Sequence, residues 1–151
     1  MKPLIILISS FVLCLLVIKY TKGSIETAFS GRIAMSVMLM FTAIGHFMFT
    51  KGMSLMLPES IPYRTELVLI TGIIEILAAI GLLIPYCSKN VAWLLVAFFI
   101  LVLPANIYAS VKHLNYQKGT FDGNGLMYLW FRIPMQALLI LWVYLSAIKS
   151  P

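Results

Sequence analysis

Charge is what this sequence has least of. Only 11% of its 151 residues are charged and only 5 are acidic, while 62% are hydrophobic, which leaves too little polar surface to cover a folded chain in water. The same shortage excludes a disordered, solvating chain. Two cysteines cannot frame a secreted disulfide scaffold, and Cys14 and Cys87 form no C-x-x-C pair for thiol redox chemistry. They read as small apolar filler. No Gly-rich phosphate loop, nucleophile elbow or His-Glu metalloprotease signature occurs. With 2 histidines and 5 carboxylates, ligands for a metal are too few at any one level of the chain, so no metal site is expected. The net charge of +6 comes from scattered Lys and Arg at the edges of apolar runs, and no basic cluster suits a nucleic acid.

What the chain does have is length in its apolar runs. Five of them, about residues 3–20, 31–50, 66–86, 90–111 and 126–148, can each cross roughly 30 Å of hydrocarbon as a helix. None alternates with period two as a membrane barrel strand must. The expectation is therefore an all-α, single-domain, integral membrane antiparallel helix bundle, with four core transmembrane helices plus an N-terminal fifth. Its place would be a cell membrane, the bacterial inner membrane being the expectation, with the lipid bilayer as first partner. The first run resembles a signal peptide, but Lys19-Tyr20-Thr21-Lys22 follows it instead of a small-x-small cleavage site, which favours a retained signal anchor. Between the third and fourth spans only Tyr86 to Asn90 is available, predicting a tight hairpin with Pro85 as helix stop.

Alternation of five spans puts the two longest connections, near 51–65 and 112–122, on one side with the N-terminus. The basic residues balance across the two sides, so the positive-inside rule selects no orientation. Polar residues inside the spans are the candidates for chemistry, because a charge in hydrocarbon costs a few kcal/mol and needs an inward face and a partner. Glu75 lies midway along its run, and Thr71, Glu75 and Ala79 recur at a spacing that lines one helix face. His46, Asn106 and Arg132 lie about four or five residues from the side of the long connections, with Glu75 and Gln136 about one to two turns deeper. By depth alone these five predict a ligand-binding polar pocket open to that side, with no catalytic residue among them. The plainer alternatives are a Glu75–Arg132 clasp fixing helix register and a His46 hydrogen bond to a neighbouring carbonyl. Pro104 and Pro134 each withdraw a backbone donor, so Asn106 and Gln136 also read as repairs of those breaks.

Gly45-His46-Phe47, Met56-x-Pro58 with Ile61-Pro62, Thr71-Gly72-Ile73-Ile74-Glu75 leading to Gly81 and Pro85, Pro104-Ala105-Asn106, and Arg132-Ile133-Pro134-x-Gln136 with Trp142 follow one another in order. Together, from about Arg32 to Trp142, they resemble the DoxX-like family of small integral membrane proteins. The resemblance implies a compact bundle of four core spans and carries over His46, Glu75, Asn106, Arg132 and Gln136 as motif positions. It also implies a range of roles: quinone-linked membrane oxidoreductase subunits, assembly chaperones of membrane receptors, and bundles that bind sterol-like ligands around buried carboxylates. Three readings follow. In one, the chain binds a hydrophobic small molecule with a polar head, a quinone or a lipid, and is not an enzyme on its own. In another it is an assembly or partner subunit of a membrane complex, or pairs with a second copy of itself. In the third it is the membrane subunit of a quinone-linked oxidoreductase whose electron source sits in another chain. No covalently bound cofactor is expected in any of them.

Overall fold

The computed structural model describes residues 2–123 and 125–149. The protein is all-helical: among the described residues the sole extended pairing is an isolated bridge between Asn115 and Thr120. In chain order the helices are α1 (Lys2–Lys22), α2 (Thr27–Met48), the short α3 (Thr50–Ser54), α4 (Arg64–Leu83), α5 (Pro85–Val111) and α6 (Leu126–Val143), whose end loosens into a π-turn at Tyr144–Ile148. Five of these, counting α6 with its π-turn, are long and apolar enough to cross a membrane.

Helix ends follow local chemistry. α1 stops at Gly23, which takes φ +69° and donates its N–H back to the Lys19 carbonyl at 3.0 Å, an end that a residue without Cβ enters at no steric cost. The hairpin between α4 and α5 is tighter than the sequence predicts. Ile84 alone connects them, in extended conformation, and Pro85 is the first residue of α5 instead of the stop of α4. At that position the missing proline N–H has no intrahelical partner to lose, so Tyr86 to Asn90 form the opening turns of α5.

One apolar core draws on all the long helices: Leu7 from α1, Met35, Met38 and Leu39 from α2, Leu82 from α4, Leu95 and Phe99 from α5, and Leu139 and Val143 from α6. α2 packs most extensively against α4 and α1, and α5 against α6. The outward faces are apolar as well: Leu101 is 76% and Trp130 83% exposed. The two long connections meet at one end, where Phe49 after α2 stands edge-on to Tyr116 of the 112–125 segment at 6.2 Å. That end carries the candidate site.

Candidate functional site

Glycine lets α2 and α4 approach. A Cβ built on Gly72 would lie 2.9 Å from the His46 Cβ, so any larger residue there would force the helices apart. Seated against this gap, His46 meets the backbone and side chains of α4. Its Nδ1 is 3.1 Å from the Val68 carbonyl and 3.1 Å from the Thr71 hydroxyl oxygen, and Thr71 itself donates to Val68 at 2.8 Å. One turn beyond Thr71 stands Glu75, 6% exposed, with its Oε2 at 3.5 Å from His46 Nε2. Such a separation is at the outer limit of a hydrogen bond. The Glu75 Oε2 is fully buried and has no hydrogen-bond donor. The anticipated Glu75–Arg132 pair is not formed. Glu75 pairs with His46 because Gly72 brings α2 closer to it than any guanidinium comes.

Arg132 is occupied between α5 and α6. From α6 its Nη1 donates to Asn106 Oδ1 on α5 at 2.7 Å, and its Nη2 donates to the Tyr128 hydroxyl, one turn back on its own helix, at 2.8 Å. The guanidinium carbon lies 4.8 Å from the centre of the Tyr128 ring and 5.9 Å from that of Tyr116. Aromatic faces stabilise a cation through the ring quadrupole, and here they stand in for a carboxylate. Burial first, and then the Tyr128 phenol, push the Tyr116 phenol above its usual range, against the opposing pull of Arg132, so Tyr116 offers a neutral ring. Arg132 Nε has no partner.

Gln136, one turn further along α6, donates Nε2 to the Phe99 carbonyl of α5 at 2.5 Å. Neither amide repairs its own helix in the way the prolines suggest. The Asn106 oxygen is taken by Arg132, and the Gln136 nitrogen crosses to α5, next to the Ile100 carbonyl from which Pro104 withdraws a donor.

The five sequence candidates thus fall into two groups: His46 with Glu75 between α2 and α4, and Asn106, Arg132 and Gln136 between α5 and α6. An apolar groove of about 330 Å³ lies between α2 and α4 against Ser36, Met40, Ala79 and Leu83, and a hollow of about 80 Å³ lies among the long connections against Glu59, Arg64 and Tyr108. Neither is lined by any of the five. Three partners were not named from the sequence. Tyr128 was visible as the residue four before Arg132, a spacing that shares a helix face. Tyr116 and the Val68 carbonyl carried no pattern, since the first arrives through a loop and the second is backbone.

These arrangements define a class, an all-helical protein with five helices of membrane-spanning length and polar contacts buried between them. Residues 35–147 match a family described as a domain of unknown function (DUF8561), and the chain belongs to that family. The matched range covers both polar groups and leaves out α1. No curated protein and no solved structure matches the chain.

Proposed function

We propose that the chain is a multi-pass integral membrane protein of the DoxX-like kind, an antiparallel bundle in a cell membrane that binds a hydrophobic small molecule through a polar head at His46 and Glu75. The head belongs to the quinone or lipid class, and no reaction is catalysed by this chain alone. One observation carries the reading: a buried carboxylate oxygen without a hydrogen-bond donor, facing a histidine at 3.5 Å. Buried polar atoms are nearly always partnered, and an unpartnered acid among apolar helices is a site waiting for a donor. The α2–α4 groove adds room for a tail, since Ala79 in its wall is one turn of α4 beyond Glu75. The exposed apolar faces fit lipid contact.

Mass spectrometry of small molecules that co-purify with the protein tests this. The wild type should carry a bound quinone or lipid, and Glu75→Gln should retain roughly tenfold less, the equivalent of one charge-assisted hydrogen bond. Equal amounts on both proteins would remove the reading.

The alternative of an assembly or partner subunit is favoured by the Arg132 group, whose Nη1 and Nη2 both donate within the chain as those of a structural element would. Under that reading Glu75→Gln leaves the membrane complex intact, which co-purification of the partner chain would show.

A further inference from the structure

His46 is engaged on both ring nitrogens, and its partners limit how many protons the contact can hold. The Val68 carbonyl only accepts, so Nδ1 at 3.1 Å from it carries a hydrogen. The Thr71 hydroxyl already donates to the same carbonyl and leaves its lone pairs toward Nδ1. With Nδ1 fixed as a donor, Nε2 faces Glu75 Oε2 at 3.5 Å. If neither of these atoms bore a proton, a ring lone pair would point at a carboxylate lone pair, and one uncompensated negative charge would be buried. Among the described residues no Lys or Arg lies within 4 Å of that carboxylate to offset it, and Arg132 is committed to Asn106 and Tyr128. Burying such a charge costs several kcal/mol, whereas a single proton between the two groups cancels it.

We propose that His46 and Glu75 hold one proton between them, as imidazolium with carboxylate or as imidazole with carboxylic acid, and that this net-neutral pair selects a neutral oxygen head, a carbonyl or a hydroxyl. The choice of head rests on the binding reading above, while the proton count does not. A shared proton lets the pair donate to a carbonyl or accept from a hydroxyl simply by residing on the nitrogen or on the oxygen. A phosphate would meet the carboxylate as a like charge, and a fixed cation would have to displace the proton. The approach is over the imidazole, whose side chain is 18% exposed against 8% for Glu75.

The proton count is read in full-length protein in phosphatidylcholine vesicles at neutral pH, with no added ligand. Histidine ¹⁵N resonances are assigned with His46→Gln, and the protonated-carboxyl infrared band is assigned with Glu75→Gln. Either a doubly protonated His46 ring, or a ring protonated at Nδ1 together with a carboxyl band lost in Glu75→Gln, is expected. A neutral ring with no such band overturns the proposal. The head is read next by titrating decylubiquinone, decanol and decyl phosphate. Shifts of the His46 signals with the first two and not with decyl phosphate are expected, and equal response to decyl phosphate overturns the selection. Silence with all three overturns the binding reading and the selection together, and leaves the proton count to stand on the first measurement.

Discussion

The polar contact between α5 and α6 and the one between α2 and α4 are built to different standards. Between α5 and α6, Arg132 makes bonds of 2.7 and 2.8 Å and lies over two aromatic rings, and Gln136 ties the same helices again at 2.5 Å. Between α2 and α4, Glu75 has one long contact at 3.5 Å and an oxygen with no donor. In the membrane setting proposed above, helices gain little from the hydrophobic effect, so close packing and satisfied polar groups hold them together. By that measure the α5–α6 contact is a fastening, and the α2–α4 contact is held in place by the packing around Gly72 while its acid has only the long contact to His46.

Breaking the fastening should cost most. Arg132→Ala removes two charge-assisted bonds and strands Asn106 and Tyr128, an expected loss of about 3 kcal/mol in reversible unfolding from mixed micelles. Arg132→Lys should recover less than half of it, because a point charge cannot serve the amide and the phenol in the fork geometry of a guanidinium. Next comes the packing that frames the dyad: Gly72→Val sets a side chain against the His46 Cβ, with an expected loss of about 2 kcal/mol and a displaced His46 ring visible in its ¹⁵N spectrum. Trp142→Phe tests whether α6 and α2 are tied independently of either group. It deletes the 3.1 Å bond from the indole N–H to the Gly31 carbonyl and should cost about 1 kcal/mol in the same assay.

The smallest effect is expected in the connection that presents Tyr116 to Arg132. The Thr120 hydroxyl, donating to Asp122, holds that carboxyl below its usual value of 3.8. A carboxyl lowered in the folded state supports the loop above its unfolded pKa and loses that support as pH falls through the folded one. Protection of the Gly119 and Thr120 amides, relative to the unfolded-chain exchange rate at each pH, should therefore hold down to about pH 4 and fall below it. In Asp122→Asn that step should vanish.

The long helices were legible because each needs only an apolar run of sufficient length, and the runs at 31–50 and 126–148 fall within two residues of α2 at its C-terminal end and of α6 with its π-turn. Pro85 was misplaced because proline both ends and begins helices, and only the backbone of Ile84 decides which. Depth along each helix put His46, Asn106 and Arg132 at one level with Glu75 and Gln136 about one to two turns deeper, whereas in the structure His46 meets Glu75 and Arg132 meets Asn106. It could not say which helices are neighbours, so five residues at related levels were read as one pocket. What separates them is the order of packing, α2 on α4 and α5 on α6, and that depends on a close approach at Gly72 which no spacing rule expresses.

The most direct test of this division is the unfolding free energy of Glu75→Gln beside that of Arg132→Ala, measured on ligand-free protein in one detergent. A carboxylate whose single contact is this long predicts a Glu75→Gln value within about 1 kcal/mol of the wild type, against the larger loss at Arg132. If Glu75→Gln loses as much as Arg132→Ala, the α2–α4 contact is a fastening too, and the account given for Glu75 is wrong.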